Sequence, residues 1–271
     1  MTDVHALANA VQIKVNGTLI DPLVMADLKY VEVQSSMHLP SVAILKFHDP
    51  KLTHIDGSTF ALGLPLVVLM GKTHDSVVEV FNGEIVAHEP VFEETFTATF
   101  IIRAYDKLHR LNRETKRRAL VQAKDSAVVT QIAQESGLRA QVTATTAQHP
   151  VLWQDNLTDL AFVHMLARRN GYEVRIKEGN TLVFAPPATL DSGVIAIWGE
   201  NLRQFEPRLS LAQQVNEVTV KGFDRKTQQA ITGVAASTTN DQQAGISQTG
   251  GAAATAAFGA AKHLEPFVGV G

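Results

Sequence analysis

The chain has 271 residues, of which 19% are charged, and its formal net charge at pH 7 is -3. This length can bury a sizeable core and fits roughly one to three domains, while the small net charge excludes a global field that would favour nucleic acid or an anionic membrane. Cysteine is absent, which excludes disulfides, thiolate metal sites and a cysteine nucleophile.

The N-terminal segment MTDVHALANAVQIKV has no basic start followed by a long apolar run, so we expect no signal peptide. The longest apolar run, residues 62–70, is interrupted by Gly63 and Pro65 and is too short to span a bilayer. Both observations predict a soluble protein.

Short strands are predicted throughout residues 1–104. Val11, Ile13 and Val15 alternate before Asn16-Gly17, whose tolerance of left-handed backbone suits a tight hairpin turn. A second turn of this kind is predicted at Asn82-Gly83. The other strand candidates are residues 30–34, 42–47, 64–70, 77–81, 84–87 and 95–104. Strands at this turn-punctuated spacing, with almost no helical period, predict a small antiparallel barrel or sandwich.

Two helical patterns follow in the middle of the chain. The first begins at Asp125 or Ser126, either of which can cap free amides, and stops at Gly137. The second begins at Asn156 or Thr158 and stops at Gly171. Each has an apolar stripe that we expect to be core: Val128, Val129, Ile132 and Ala133 in the first, and Leu160, Val163, Leu166 and Ala167 in the second.

Strand patterns return after the second helix. Residues 172–176 and 181–185 predict a hairpin around Glu178-Gly179-Asn180, and Pro186-Pro187 marks a plausible domain boundary because proline cannot continue a strand ladder. Further strands are predicted at 194–198, 205–210 and 215–222. The last precedes Phe223-Asp224, as the strand ending at Ala104 precedes Tyr105-Asp106, an echo that a duplicated barrel would leave.

From Ala235 onward the sequence is rich in alanine, glycine, serine, threonine and glutamine and has few large apolar residues. Burial in such a segment cannot offset the entropy of ordering it, which predicts a linker-like or loosely packed stretch.

Motifs for catalysis and cofactor binding are weak. Gly71-Lys72-Thr73 lacks the earlier glycine of a phosphate loop, no His-Glu-x-x-His or Gly-x-Ser-x-Gly occurs, and the histidines have no convergent metal-ligand spacing. We interpret the histidines as scattered surface residues. The adjacent carboxylates Glu93 and Glu94 would point to opposite faces of a strand, which does not suit the paired carboxylates of a glycosidase. They are interpreted as a solvated turn. We therefore expect no enzyme, no catalytic or cofactor-binding residues, no metal and no cofactor.

A basic cluster is the strongest local charge feature. It has little aromatic interleaving, which favours a solvated turn or an oligomer contact over nucleic-acid binding. The two tryptophans are interpreted separately, Trp153 as core and Trp198 as either core or a subunit contact. The cluster consists of Lys107, His109, Arg110, Arg113, Lys116, Arg117 and Arg118.

The order of motifs between residues 95 and 172 resembles one known family. A strand ending in Tyr105-Asp106 leads to Leu-His-Arg-Leu, a basic turn, and a capped helix closing on Ser-Gly-Leu. Trp153-Gln154 then precedes Asn-Leu-Thr-Asp-Leu and a helix ending in Arg-Asn-Gly-Tyr. This order resembles the phage late control protein D and valine-glycine repeat (VgrG) family, the hub of the central spike in contractile tails and related injection machines. The likeness covers most of residues 11–235, and none of its motifs is catalytic.

The resemblance implies a β-rich α+β fold with tandem antiparallel barrels and a mixed insert. Residues 1–104 would form the first hub barrel, 105–187 a mixed α/β domain with two short helices, 188–235 the start of the second barrel, and 236–271 the linker-like segment. Because the second barrel of the family is completed after an excursion, we expect this chain to be the N-terminal part of a longer protein.

The resemblance also implies a structural function. The chain would form a homotrimer whose two barrels per subunit make a pseudo-sixfold ring joining a hexameric inner tube to a threefold spike. Its partners would be inner tube proteins, baseplate and LysM-type adaptor proteins, and a PAAR-like spike-tip protein, with no nucleic acid and no membrane binding. Assembly would occur in the cytoplasm, and the product would be a virion or a released injection particle. Turns near Asn16-Gly17 and Asn82-Gly83 are candidate surfaces for tube or neighbour contacts.

Two other functions stay open at this point. A stand-alone carbohydrate- or cell-wall-binding module would show clustered aromatics on one strand face, and aromatic residues make up only 6% of this chain. A spike with a lytic domain fused downstream is the other alternative.

Overall fold

A computed structural model describes residues 10–36, 39–94, 97–177, 180–188, 195–202, 204–206, 210–212, 214–224, 227–236 and 249–265. The chain divides into two units, Met1–Gly193 and Val194–Gly271. Strands dominate both, and the β-rich α+β class predicted from the sequence is confirmed. The predicted domain boundaries remain predictions. None of the described helices is long and apolar enough to cross a membrane.

The first unit begins with a seven-stranded sheet in which every ladder is antiparallel. Its spatial order is β2-β1-β5-β6-β7-β4-β3. A short helix, α1 (Pro22–Ala26), separates β2 from β3 along the chain. The strands are β1 (Ala10–Val15), β2 (Thr18–Leu19), β3 (Leu28–Gln34), β4 (Val42–His48), β5 (Pro65–Gly71), β6 (Val77–Phe92) and β7 (Ala98–Tyr105).

The sheet curls around one apolar core. Burial alternates along β4 and β7, as half-buried strands require. Ile13 on β1 and Val31 on β3 belong to the same cluster although five positions separate their strands in the sheet order, so the two ends of the sheet approach each other. Phe47, Phe60 and Phe100 are fully buried at its centre.

One predicted turn is confirmed and the other is wrong. Asn16 and Gly17 adopt φ of 50° and 81° and join β1 to β2. Asn82 and Gly83 instead lie inside the continuous strand β6, where the strand passes from pairing with β5 to pairing with β7. Glycine is required there for a different reason, because a Cβ on Gly83 would lie 2.2 Å from the carbonyl oxygen of Tyr105.

The rest of the first unit is the mixed α/β domain, built on two small sheets and two helices. β8 and β10 form an antiparallel pair, and β11, β12 and β9 form a second sheet in that order. Residues 107–112 form a 3₁₀ helix after β7. The elements are β8 (Thr115–Lys124), α2 (Asp125–Glu135), β9 (Arg139–Val142), β10 (Gln148–Thr158), α3 (Asp159–Asn170), β11 (Glu173–Lys177) and β12 (Thr181–Ala185).

The helix predictions are confirmed, with one change of cap. All members of both apolar stripes are buried in one core. Thr158 is the N-cap of α3 and accepts a hydrogen bond from the amide of Ala161, and Gly171 ends that helix with φ of 65°. α2 begins at Asp125 after Lys124, and Lys124 makes no side-chain cap bond. The 172–176 and 181–185 strands pair as predicted, whereas Glu178 and Gly179 of their turn lie outside the described residues.

Strands β8 and β10 were not predicted, and they replace the basic turn and the segment between the helices. Their apolar residues occur on both faces, so no period-two alternation marks them in the sequence. Because Trp153 lies on the outer face of β10, it is 66% exposed, and its interpretation as core is wrong.

The second unit contains a three-stranded sheet and one helix in its described part. β14 pairs antiparallel with β13, and β15 pairs parallel with β13. The strand predicted at 215–222 is confirmed by β13. The strand predicted at 194–198 is absent from the described part, where Trp198 makes only an isolated bridge. Part of the strand predicted at 205–210 lies outside the described residues. The elements are β13 (Glu217–Asp224), β14 (Gln229–Ala235), α4 (Gly250–Phe258) and β15 (Lys262–Glu265).

Residues 249–265, in the segment predicted to be linker-like or loosely packed, contain α4 and β15, and Ala254 is the one buried residue of α4. Thr249 caps α4 by accepting a hydrogen bond from the amide of Ala252, and alanine has the highest helix propensity of any residue. The alanines of α4 therefore favour a helix although little of it is buried.

Candidate functional site

Asp106 forms the joint between the seven-stranded sheet and the mixed domain. Its carboxylate accepts hydrogen bonds from the backbone amides of Ser41, before β4, and Leu108, in the 3₁₀ helix, at 2.8 and 2.9 Å. Burial raises the pKa of this carboxyl, and the two amide bonds offset part of that rise. Asp106 therefore caps the 3₁₀ helix and fixes it to the first sheet.

Glu84 makes a second connection across the same joint. It lies on β6 and is 8% exposed. Arg110 donates to it from Nε at 2.9 Å and also from Nη2, a bidentate arrangement, and His109 Nε2 lies 3.8 Å away. Arg110 of the predicted basic cluster is thus neutralised by the neighbouring sheet, and His109 lies beside the same carboxylate.

Asp159, at the start of α3, forms ion pairs with two further members of the basic cluster, Lys116 and Arg118. Lys116 Nζ and Arg118 Nη2 donate to its two oxygens at 2.7 and 2.8 Å, and Gln154 donates at 2.9 Å. Arg118 also bonds Gln154 and Glu135. The hydrogen bond to Asp159 raises the pKa of the Lys116 ammonium. This network joins β8, β10, α2 and α3.

Asp125 forms a similar connection at the other end of the helices. Arg169 donates to it from Nε at 2.6 Å and again from Nη2, and Asn170 donates at 2.6 Å. Burial raises the pKa of this carboxyl, but the hydrogen bonds from Arg169 and Asn170 outweigh burial and leave the pKa below its ordinary value.

These contacts explain the motifs that carry the family resemblance. Leu108 and Leu111 are core residues, whereas His109 and Arg110 between them face Glu84. Gln154 is fully buried beside the exposed Trp153. The Arg-Asn-Gly-Tyr end of α3 supplies two donors to Asp125 and the left-handed Gly171. The motifs are determinants of the fold.

The basic cluster is therefore dispersed and largely paired. Arg117, on the outer face of β8, pairs with Asp155 at 2.8 Å. A cleft of about 840 Å³ opens between the sheet and the mixed domain. Glu84, Arg110, Lys116 and Asp159 line it, so charges of both signs face it and neutralise each other. This pattern does not resemble the continuous positive surface that binds nucleic acid.

The histidines are less superficial than predicted. His54 is 7% exposed, its ring lies 5.7 Å from that of Phe47 in a tilted arrangement, and its Nε2 lies 2.8 Å from Asp27 Oδ2, so its interpretation as a surface residue is wrong. His88 lies 2.6 Å from the carbonyl oxygen of Phe60. Glu93 and Glu94 are exposed after β6, as predicted. Within the described ranges, no three histidine or carboxylate side chains form a group able to hold a metal.

Exposed apolar side chains are the remaining feature. In the second unit, all seven residues of β14 are exposed, among them Ile231 and Val234. Ala254 is the one buried apolar side chain in the described part of that unit. Trp198 is 80% exposed and is not core.

Comparison with known proteins identifies one family model and several solved structures. The model described as the Alg8 N-terminal domain matches residues 5–260. It is not the model of the family named from the motifs. No curated protein matches the sequence.

Three solved tail proteins share the fold over 96% of this chain. A 43 kDa tail protein of prophage MuSo2 from Shewanella oneidensis has 14% identity and a TM-score of 0.65, with 72% of its own length covered. Prophage tail protein gp18 from Listeria monocytogenes has 10% identity, a TM-score of 0.57 and 72% coverage. A tail protein from Neisseria meningitidis has 12% identity, a TM-score of 0.55 and 71% coverage. At these identities the likeness shows a shared fold.

Proposed function

We propose that this chain, which belongs to the Alg8 N-terminal domain family, is a structural hub subunit of a contractile, phage-tail-like injection particle. The observation that carries the proposal is the tail-protein fold, shared over 96% of the chain with the Shewanella protein. The order of motifs, which resembles the late control protein D and VgrG family, supports the more specific assignment to a hub.

The role we propose is shape and adhesion without catalysis. The buried carboxylates support it, because Glu84, Asp125 and Asp159 are each engaged by cations of the fold itself. A general acid or base needs a carboxyl that can exchange a proton with a substrate, whereas Glu84 and Asp159, which line the cleft, already accept hydrogen bonds from cationic side chains of the fold. Here the ion pairs connect sheet and helices and stiffen the first unit.

We further propose a homotrimer with a pseudo-sixfold ring. A closed ring repeats its interface once per subunit, so three subunits mate evenly with a hexameric tube only if each contributes two similar lobes. The second unit supports an assembly role, because β14 exposes Ile231 and Val234 and the described core of that unit is small. In the described part of that unit β14 is an edge strand, and an edge strand with such apolar exposure can pair with another chain.

The partners in this proposal are the inner tube, baseplate and LysM-type adaptor proteins and a PAAR-like spike tip. The chain would assemble in the cytoplasm and leave the cell in a virion or released particle. The exposed turn at Asn16-Gly17 stays a candidate contact for the tube. Asn82-Gly83 is withdrawn, since it lies within β6.

The test is deletion of the gene from a strain that makes the particle, followed by electron microscopy of the lysate. We expect no tubes joined to a spike, and recovery on expression of the wild-type gene. Val234→Asp should fail to restore particles, whereas Gln229→Asp, at a polar position of the same strand, should restore them. Normal particles in the deletion strain would contradict the proposal.

A further inference from the structure

β8 and β10 form a two-stranded ribbon with one buried and one exposed side. Leu120 and Leu152 are directly opposite each other and pack into the core of the mixed domain. On the other side Ala119 faces Trp153 and Val121 faces Val151. We call these four outward residues the apolar face of the ribbon.

The apolar face is large for a solvent-exposed surface. Trp153 is 66%, Val121 68% and Val151 39% exposed. Together with Ala119 these side chains present on the order of 400 Å² to solvent, within the range of about 300–600 Å² for the largest apolar patch of a monomer, and such patches are often functional. Ala119 is small, so it leaves the indole face of Trp153 uncovered.

The ribbon also has unpaired strand edges. Within the part of the chain that the structure describes, no third strand joins β8 or β10, and no backbone hydrogen bond from another element reaches them. The five successive pairs between residues 117–121 and 151–155 are regular, and they are bounded by Gln122 and Asn156, whose φ angles are 51° and 54°. A straight edge of this length can accept main-chain hydrogen bonds from an added strand.

Charge and area indicate the kind of occupant. The exposed charges beside the apolar face, Arg117 and Asp155, neutralise each other at 2.8 Å, so an uncharged segment meets no unpaired charge. A stable interface buries about 800 Å² per partner, roughly twice what this face offers, so two copies packed face to face through it alone would be too small. A single extended segment needs less area, because main-chain bonds add to its affinity.

We propose that the β8–β10 ribbon is a docking site for an extended, uncharged apolar segment of a partner polypeptide. The segment adds as a third strand at residues 151–155 or 117–121, and its alternate side chains cover Trp153 and Val121. This surface consists of other residues than β14 and the Asn16-Gly17 turn, and its role does not depend on the hub function.

The fluorescence of Trp153 can report whether a bound segment covers its indole. The chain contains two tryptophans, and Trp198 is exposed in the second unit, so Trp198→Phe leaves Trp153 as the single emitter. The probe is a capped Thr-Val peptide of six residues, N-methylated at every second position so that it presents one donor edge and cannot grow into a sheet of more than two strands. Two control peptides carry lysine in place of valine or N-methyl groups at every position.

The measurement is acrylamide quenching of Trp153 with each peptide. We expect the quenching constant to fall roughly twofold with the first peptide, because one face of the indole becomes covered, and to stay unchanged with both controls. Val121→Lys should abolish the effect with an unchanged melting curve. Val78→Lys, at an exposed position on β6, should retain it.

Three results would overturn the proposal. One is no change with the first peptide at millimolar concentration, and another is equal protection by the fully N-methylated peptide, which would mean apolar contact without strand addition. The third is protection by a chitin hexasaccharide or by the chain itself at rising concentration, which would assign the face to sugar or to a second copy.

Discussion

Replacing Gly83 by alanine is the sharpest test of how the first sheet is built. An added Cβ would lie 2.2 Å from the carbonyl oxygen of Tyr105, 2.7 Å from its carbonyl carbon and 2.6 Å from the ring of Phe81. Two of the three contacts are to backbone, which cannot rotate away. β7 must therefore shift from β6 at the point where Glu84 and Tyr105 pair.

The magnitude follows from two opposing effects. Overpacking of a well-packed core costs about 1–3 kcal/mol, and contacts this short place Gly83→Ala at the upper end. Removing a glycine from a strand returns roughly 0.5–1 kcal/mol. We expect a net loss of about 2 kcal/mol, which lowers Tm by about 4–8 °C in a unit of this size.

A substitution at the neighbouring residue, Asn82, distinguishes a continuous strand from a turn. Asn82 is half-buried in β6, so Asn82→Val should be neutral or slightly stabilising, because β-branched residues suit strands. If Asn82-Gly83 were a turn with left-handed backbone, valine would cost roughly 1–2 kcal/mol. The assay is urea unfolding of the first unit followed by circular dichroism. Wild-type stability of Gly83→Ala, or a marked loss in Asn82→Val, would refute the continuous strand.

Three further predictions concern the helices. Arg169→Met leaves the buried Asp125 carboxylate without its guanidinium, and urea unfolding should show a loss of about 3 kcal/mol. The pKa of Asp125 is lowered in the folded chain. Its contribution to the free energy of unfolding is therefore present above the unfolded pKa near 3.8 and is lost as pH falls through the folded value. Urea unfolding measured from about pH 6 to 3 should show this loss in wild type and much less of it in Arg169→Met. Asp159→Ala leaves Lys116 and Arg118 without their shared carboxylate and should lower the free energy of unfolding by about 3 kcal/mol. Lys116→Met in the same chain should restore part of that loss. A loss below about 1 kcal/mol would mean that water replaces the carboxylate. Thr158→Ala removes the cap of α3 and should cost about 1 kcal/mol by thermal melting, while Thr158→Ser should cost little.

Most elements could be predicted from the sequence where the spacing of their apolar residues matches the face that they bury. The stripe from Val128 to Ala133 and the alternation from Ala98 to Ala104 are buried as expected, since each has one face in a single core. The Asn16-Gly17 turn was predicted because its backbone needs positive φ at both residues.

The failures have physical causes. At Asn82-Gly83 the same dipeptide serves close approach between strands, a requirement set by β7 and invisible in local sequence. β8 and β10 were not predicted because Val121 and Trp153 place apolar groups on the outer side of the ribbon and remove the alternation of apolar and polar residues. The charge network of Asp159 joins residues 43 apart in the chain, so no spacing rule could assemble it.

The central proposal is a trimer that presents six similar lobes, and its most direct test is the symmetry of the purified, complete gene product. Single-particle electron microscopy at micromolar concentration, with the mass measured in parallel, decides it. We predict particles of three times the subunit mass, with threefold symmetry and a ring of six lobes. Monomers, or a closed ring with any number of lobes other than six, would contradict the account.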